Sequence, residues 1–141
     1  MRSTTPVPEV PPAPAENFVS LRLANGPLSA PVLGRVISMV LTRANCPLDR
    51  LDDAMMLCDA LSAYAPAHAR DGHIAFTMAT DDQGIELRVG ELDERGAGGL
   101  LADAAMPGVG NVLERLADEL RIEPSSAGHL HEELVLTLRF G

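Results

Sequence analysis

The amino-acid sequence predicts an α+β fold: a two-layer sandwich in which a mixed, mostly antiparallel sheet of about four or five strands is covered on one face by three helices. Two observations lead to this prediction. Short segments carry apolar residues at every second position, as half-buried strands do, and longer segments repeat apolar residues at helical spacing. In chain order the segments are strand, helix, helix, strand, strand, helix and strand. A single layer of helices on one face of a sheet would bury all of these apolar faces.

The folded domain is expected to span residues 17–141, after a proline-rich tail. Residues 1–16 hold few side chains able to form a core, and they include the prolines Pro6, Pro8, Pro11, Pro12 and Pro14. This composition predicts a disordered or polyproline-like segment. The first strand is predicted at Phe18–Leu23, where apolar and polar residues alternate.

Two helices are predicted to follow the first strand. The first spans about Ala30–Arg43, with Ser29 as its N-cap and an apolar stripe formed by Val32, Leu33, Val36, Ile37, Val40 and Leu41. The second helix begins near Leu51 and keeps a similar apolar spacing as far as Ala65. It should kink or end at Pro66, because proline lacks the amide hydrogen that continues a helix.

The remaining strands form a hairpin and a closing strand. The segments His73–Thr80 and Ile85–Val89 alternate on either side of the turn residues Asp81–Gly84. The last strand is predicted at Glu133–Phe140, where leucines alternate with more polar residues. Between the hairpin and the last strand, Glu91–Pro107 shows no sustained period, so an irregular loop is expected there, with one helical turn near Leu100–Ala105.

A glycine loop precedes the last predicted helix. That helix carries an apolar face formed by Val112, Leu113, Leu116, Ala117 and Leu120. Asn111 can cap its first turn, so Gly108–Val109–Gly110 becomes a loop that enters a helix N-terminus. Free backbone amides and the helix dipole favour an anion such as phosphate at such a place. The alternative is an ordinary loop whose glycines only let the backbone turn.

Composition limits the classes of partner and compartment. The net charge of −9 would repel a phosphate backbone, so nucleic acid is not an expected partner. No apolar run approaches the roughly 20 residues of a membrane span, and the N-terminus lacks a signal-peptide pattern. Cys46 and Cys58 are spaced as free thiols rather than as a disulfide framework. A cytoplasmic protein is therefore expected.

Three segments, in this order of elements, resemble the histidine-kinase-like ATPase (GHKL, Bergerat) family. They are the helix segment Leu57–Ala69 (LCDALSAYAPAHA), the strand end Leu87–Asp93 (LRVGELD) and the segment Gly108–Leu120 (GVGNVLERLADEL). The resemblance covers about Asn17–Gly141 and is closest to the bacterial anti-sigma-factor serine/threonine kinases. It implies an ATP site between the helical layer and a glycine-containing lid, with a carboxylate and an asparagine on the second helix.

The resemblance assigns roles to individual residues, and this chain departs from several of them. Asp59 stands where the family has the catalytic glutamate, and it could still accept a hydroxyl proton. Ala63 stands where the family has an asparagine, and its methyl group cannot ligate Mg²⁺. Glu91 takes the position of the aspartate that reads adenine, while Asp93 replaces the glycine that lets the base approach. Binding of Mg²⁺ is therefore not expected.

The resemblance implies a set of nucleotide-binding residues and a class of partners. The nucleotide-binding residues would be Glu91, Gly108, Val109, Gly110 and Asn111. With the altered positions, ATP or ADP binding is expected to be weak or lost and kinase activity absent. The protein would then act as a regulatory protein-binding module in bacterial transcription control, whose partner is a sigma factor or an antagonist domain. A homodimer is also compatible with the apolar stripe of the first helix.

Two other functions and one other site remain open from the sequence. An active serine/threonine protein kinase would use Asp59 as its base and a substitute ligand for Mg²⁺. An unrelated small α+β interaction domain is the second alternative. A metal site at His129 and His131 is disfavoured, because no cysteine or carboxylate cluster lies at metal-ligand spacing from them.

Overall fold

The computed structural model describes residues 17–124 and 131–141. Seven strands and four α-helices occur in this part of the chain: β1 Asn17–Ala24, α1 Ser29–Arg43, α2 Leu48–Tyr64, β2 His73–Thr80, β3 Gly84–Leu92, α3 Gly96–Asp103, β4 Ala105–Met106, β5 Gly110–Asn111, α4 Val112–Leu116, β6 Glu119–Pro124 and β7 Glu132–Arg139. A 3₁₀ turn at Ala65–His68 follows α2 directly. The predicted tail at residues 1–16 lies outside the described residues.

The main sheet has five strands in the order β1-β2-β3-β7-β6, and every neighbouring pair is antiparallel. The α+β fold class is thus confirmed. A mixed sheet would also contain a parallel pair of strands, and no such pair occurs among the described strands. Strands β4 and β5 form a separate two-stranded ladder. The predicted hairpin is confirmed as β2 and β3, with Phe76 opposite Val89 and Met78 opposite Leu87.

One face of the five-stranded sheet carries the core. Because side chains alternate along a strand, the inward positions of adjacent strands line up in rows, as in Leu21–Phe76–Val89–Leu134. Helices α1, α2, α3 and α4 all contribute buried apolar residues to the same cluster as these rows. The helices therefore pack on one face of the sheet, as the apolar patterns predict.

The ends of the first two helices follow from their sequences. Helix α1 begins at Ser29, and the prediction of Ser29 as its N-cap is wrong. Leu28 takes the N-cap position without a side-chain hydrogen bond, and the Ser29 hydroxyl donates to the Gly26 carbonyl at 2.9 Å. Helix α2 begins at Leu48, three residues before the predicted start, and ends at Tyr64 because Pro66 cannot continue the helical hydrogen bonds. No helix among the described residues combines the length and the apolar character needed to cross a membrane.

The prediction of a helix from Val112 to Leu120 is wrong beyond its first turns. Helix α4 ends at Leu116, Ala117 is extended, and a strand that the sequence analysis missed, β6, begins at Glu119. Leu120 fits a helical stripe, but it also alternates with charged neighbours as a strand residue does. Pairing with β7 decides between the two periods, since it satisfies the backbone of β7 from Glu132 to Thr137 along its outer edge.

The prediction of an irregular loop at Glu91–Pro107 is also wrong for most of its length. Strand β3 continues to Leu92, and the eight residues Gly96–Asp103 form α3. The buried residues Ala97, Leu100 and Ala104 have helical spacing, but three glycines within the segment conceal this pattern. The single helical turn expected near Leu100–Ala105 is the end of this longer helix.

The outer face of the sheet carries a lattice of ion pairs instead of a helical layer. Arg88 contacts Glu86 at 3.1 Å, Glu123 at 2.9 Å and Glu133 at 3.2 Å, and Arg121 joins Glu86 and Glu123. Val135 lies opposite both Arg88 and Arg121 in the register and is only 1% exposed. The aliphatic stems of the two arginines cover this valine, so the lattice also shields apolar surface.

The pKa of Glu123 makes this lattice sensitive to acid. Hydrogen bonds from Arg121 first, and from Arg88 second, lower that pKa from its ordinary value of 4.5. A carboxylate with a lowered pKa stabilises the folded state above its unfolded pKa, and this contribution is lost as pH falls through the folded value. Below pH 4.5 we therefore expect the wild-type protein to lose stability more steeply than Glu123→Gln, measured by urea unfolding across pH 7 to 3. Glu114→Gln, on α4 outside the lattice, is the matched control and should follow the wild-type curve; parallel curves for Glu123→Gln would contradict this assignment.

Candidate functional site

Asp59 is an exposed residue of α2 that lines a groove between α1 and α2. The groove has a volume of about 680 Å³ and is lined by Ala30, Pro31, Gly34, Arg35, Ser38, Met39, Met55 and Asp59. Among the described residues, none of the other predicted site residues lines it. Ala63 lies one helical turn further along α2 and is exposed. Asp59 thus lines a groove that includes none of the other predicted site residues, and we name this groove the α1–α2 groove.

Glu91 lies at the end of β3, where the strand is joined to the 3₁₀ turn. The register of β3 against β7 shifts between Val89 and Leu92, a bulge that changes the direction of side chains at this point. The carbonyl of Glu91 accepts the backbone N–H of Arg70 at 3.1 Å, and the N–H of Asp93 donates to the His68 carbonyl at 2.8 Å. Glu91 itself is half-buried. Backbone hydrogen bonds to residues at the end of the 3₁₀ turn and just after it therefore fix the position of Glu91.

The glycine loop is a tight hairpin turn between β4 and β5. The Val109 N–H donates to the Met106 carbonyl at 3.0 Å, across Pro107 and Gly108. Gly108 has φ +78°, which the third residue of a Pro-Gly turn requires, and Gly110 has φ +98°. The Val109 carbonyl accepts from the Arg115 guanidinium at 3.0 Å. Both polar groups of the Val109 backbone are therefore engaged within the protein.

Asn111 caps α4 as the sequence predicts, and it also reaches another element. Its side-chain oxygen accepts the N–H groups of Leu113 at 3.0 Å and Glu114 at 3.3 Å. Its side-chain nitrogen donates to the carbonyl of Leu101 in α3 at 2.7 Å. The amide of Asn111 thus fixes the glycine hairpin and α4 to the end of α3.

Helix α3 packs closely on the 3₁₀ turn because two of its positions are glycines. A Cβ atom on Gly96 would lie 2.9 Å from the Leu92 Cβ, and one on Gly99 would lie 2.5 Å from the His68 ring. His68 Nε2 lies 2.7 Å from Asp103 Oδ2, and since a carboxylate only accepts, Nε2 carries the donated hydrogen. This hydrogen bond and the missing side chains hold α3 against the turn.

The N-terminus of α3 is occupied by a carboxylate of the protein itself. The Ala97 N–H donates to Oε1 of Glu132, at the start of β7, at 3.1 Å. A negative charge at this place interacts favourably with the unpaired amides and the helix dipole. Helix α3 is thus joined to the glycine hairpin Ala105–Asn111 and to the 3₁₀ turn Ala65–His68, and the chain just after this turn is joined to Glu91. We call this group of elements the α3 corner. Asp59 lies outside it.

Sequence reasoning missed His68, Asp103 and Glu132 as partners. The hydrogen bond between His68 and Asp103 and that between Ala97 and Glu132 each join residues 35 positions apart. No local period or capping pattern reports such pairs.

The two cysteines are poor nucleophiles in this structure. Burial, and to a smaller extent the neighbouring Asp59 carboxylate, raise the pKa of Cys58 to about 12. Burial also raises the pKa of the half-buried Cys46. Because the thiolate is the reactive form, neither residue is prepared for covalent catalysis.

The histidine pair considered for a metal falls partly outside the described residues, since His129 is not among them. Within residues 17–124 and 131–141, no three or more histidine, cysteine, aspartate or glutamate side chains are grouped so that they could hold a metal ion. A comparison with protein-family models and one with curated proteins find no match for this chain.

Two glycines of α3 give a matched test of the packing on His68. A Cβ on Gly98 would meet no atom within 4 Å, so Gly98→Ala should raise the unfolding free energy by about 0.5–1 kcal/mol through helix propensity. Gly99→Ala should lower it by about 1–2 kcal/mol, because the methyl group displaces the His68 ring. Urea unfolding measures both changes. A stabilised Gly99→Ala would mean that the ring does not press on this position.

Proposed function

We propose that the protein is a regulatory protein-binding module, related to the anti-sigma-factor kinases that its sequence resembles, which acts by contact rather than by phosphoryl transfer. The observation that carries this proposal is Ala63. It stands on α2 one turn after Asp59, where the resemblance puts the Mg²⁺-ligating asparagine. A methyl group provides no oxygen for a hard cation, and phosphoryl transfer relies on that cation to neutralise the developing charge.

The geometry of the glycine hairpin supports the same proposal. In a phosphate cradle, successive backbone amides point at the anion. Here the Val109 amide donates to Met106, and the side-chain amide of Asn111 is shared between Leu101 and the first turn of α4. A phosphate would have to replace these internal hydrogen bonds. Weak or lost binding of ATP or ADP follows from this competition.

The position of Asp59 also favours contact over catalysis. Its carboxylate lines the α1–α2 groove, on the helix that precedes the 3₁₀ turn. The Glu91 backbone is hydrogen-bonded to Arg70, which follows that turn. A general base acts only on a proton within hydrogen-bond reach. None of the predicted nucleotide-binding residues lines the groove at Asp59, so the kinase alternative needs an arrangement that brings Asp59 and the glycine hairpin to one nucleotide.

Calorimetry with ATP and Mg²⁺ tests the nucleotide part of the proposal. We expect affinity no tighter than millimolar for the wild-type protein, and no recovery in Ala63→Asn, because the restored ligand does not open the α3 corner. Ala63→Ser is the control for a polar substitution at the same exposed site. Micromolar, Mg²⁺-dependent binding by the wild-type protein would contradict the proposal. Transfer of labelled γ-phosphate to a serine of a partner would establish the kinase alternative instead.

The α1–α2 groove is the surface that we propose for the protein partner. Its walls include Met39 and Met55, and Met39 is 57% exposed. Methionine side chains adapt to different apolar partners, and Arg35 and Asp59 offer one charge of each sign on the two walls. An amphipathic helix, with an apolar stripe flanked by charges of both signs, fits this arrangement. From the resemblance, that helix would belong to a sigma factor or to an antagonist domain.

A charge placed in the groove tests this assignment. Against individually expressed sigma factors and antagonist-type domains from the source organism, Met39→Glu should weaken binding at least about tenfold, because burying the carboxylate costs more than 1.4 kcal/mol. Met106→Glu is the matched control, since Met106 is 45% exposed on the separate β4–β5 hairpin and should bind as the wild-type protein does. Equal losses for the two variants would place the partner elsewhere. Binding by neither wild type nor variants would favour the unrelated-domain alternative.

A further inference from the structure

Strand β1 is an edge of the five-stranded sheet and carries little protection of its own against pairing with another chain. The other edge strand, β6, carries Glu119, Arg121, Glu123 and Pro124, and charges and proline are common protections of an edge. Strand β1 has eight residues, no proline and a single charge, Arg22. Among the described residues, only β2 pairs with β1, so its other edge is open.

The N–H and C=O groups on this open edge can be assigned to particular residues. Just after the strand, the N–H of Asn25 donates to the carbonyl of Gly72 on the β2 side at 2.9 Å. In an antiparallel pair, hydrogen-bonded residues alternate with residues whose polar groups point the other way. The outward residues of β1 are therefore Phe18, Ser20, Arg22 and Ala24.

Apolar surface lies beside the open edge and continues onto α1. On the core side of β1, Val19, Leu21 and Leu23 are only half-buried. At the end of the strand, a recess of about 370 Å³ is lined mostly by apolar groups, and there Leu28 is 71% and Val32 is 37% exposed. We call these half-buried side chains and the recess together the β1 shelf. A segment that lay along β1 would cover it.

The segment that precedes β1 has a repeat of three residues that suits this surface. Residues 1–16 lie outside the described residues, and their sequence predicts a polyproline-like segment. Polyproline II has three residues per turn, so every third residue lies on one face. One such face holds Val7, Val10 and Ala13, which we call the tail stripe, and the next holds Pro8, Pro11 and Pro14. Because polyproline II has no internal hydrogen bonds, its carbonyl groups are free to accept.

We propose that this segment covers the open edge: residues 14–17 form a turn, and residues 7–13 run back along β1 with the tail stripe against the β1 shelf. The carbonyl groups of the segment accept N–H groups of the outward residues of β1. Its prolines have no N–H to donate. They therefore leave little for a further strand to pair with, which supplies the protection that β1 lacks.

The length of the segment matches the length of the strand. A four-residue turn places Ala13 beside the second residue of β1. From Ala13 to Val7, polyproline II spans about 19 Å, and the same number of residues in a strand spans about 20 Å. Val7 therefore reaches the recess at the end of β1, and Val10 lies level with Leu21 at the centre of the strand.

Charge favours the same register. The chain has a net charge of −9, yet no aspartate or glutamate occurs from residue 17 to residue 48, which includes all of β1 and α1. In the proposed register Glu9 lies level with Arg22, on a face of the segment other than the tail stripe. Arg22 is paired with Asp71 at 2.9 Å, and its side chain is still 53% exposed. Its guanidinium has enough donors for both carboxylates.

Hydrogen exchange of the full chain, followed by NMR, tests the cover residue by residue. The amides of Ser20 and Arg22 should exchange at least about tenfold faster in Val10→Asp than in the wild-type protein, because a buried carboxylate is costly. Ser3→Asp is the matched control, since it adds the same charge outside residues 7–13 and should leave both amides protected. The amide of Leu21, which points to β2, should stay protected in all three proteins.

Two results of this measurement would overturn the proposal. Equally fast exchange of Ser20 and Arg22 in the wild-type protein and in Val10→Asp would leave the edge open to a strand of another protein. Protection that rises with protein concentration and is unchanged in Val10→Asp would assign the edge to a second copy instead.

A disulfide tests how far the segment reaches along β1. In a Cys46→Ser background, where the remaining Cys58 is buried, Val7→Cys and Leu28→Cys together should form an intramolecular disulfide on mild oxidation. The expected proximity follows from the position of Val7 at the recess that Leu28 lines. Mass spectrometry of the intact chain and of its peptides identifies the bond.

The matched control combines Val7→Cys with Leu48→Cys, which is 76% exposed in the native residue. Leu48 follows the end of α1, and this end lies beside the β2–β3 turn. Asn17 pairs with Thr80 just before the same turn, so a segment that did not lie along β1 would reach Leu48 at least as easily as Leu28. Equal cross-linking of the two pairs, or cross-linking only between chains, would overturn the proposal.

Discussion

Strand β7 has the most deeply buried inward side chains of the sheet's centre: Leu134, Leu136 and Leu138 are at most 1% exposed. Such burial requires neighbouring elements on every side of the strand. Strands β3 and β6 pair with β7 on its two edges, while α2 and α3 contact it from the helical layer. Burial of each leucine side chain contributes about 1.5–3 kcal/mol, so leaving this strand uncovered would be costly in a domain of this size. The positions of β6 and α3 follow from that requirement.

The sequence predicted elements whose pattern is complete within a few residues. Strands β1, β2, β3 and β7 alternate clearly, α1 has an uninterrupted apolar stripe, and the Asn111 cap depends only on the next three residues. Strand β6 was missed because Leu120 satisfies both a helical and an extended period, and only β7 decides between them. Helix α3 was missed because its glycines lower helix propensity, while the close approach to His68 that they permit is not visible in the sequence.

The candidate site was predictable in the same limited way. The glycine hairpin and the cap of α4 are local features, so their residues could be identified from the sequence. Their relation to Asp59 could not, because it depends on how α2, the 3₁₀ turn and α3 pack together. The contacts that close the α3 corner, between His68 and Asp103 and between Ala97 and Glu132, join residues far apart in the chain. Only the folded arrangement separates a groove at Asp59 from a closed corner at Glu91.

An anion could bind at the α3 corner only by opening it. Opening it breaks the Asn111–Leu101 and His68–Asp103 hydrogen bonds and uncovers apolar surface beneath α3, where Ala97 and Leu100 are fully buried. Each such hydrogen bond has a net value of about 0.5–1.5 kcal/mol, and leaving a buried partner unsatisfied costs more. A phosphate bound without Mg²⁺ would have to offset the free energy of these lost hydrogen bonds before any net affinity remained.

Helix α1 forms one wall of the α1–α2 groove and is held firmly in place. Its buried residues Leu33, Ile37 and Leu41 fix it to the core, so Arg35 and Met39 keep their positions along the groove. A shift of α1 against this close-packed core would be costly. Any adjustment to a partner helix would therefore come from the flexible side chains of Met39 and Met55 rather than from the backbone of the groove.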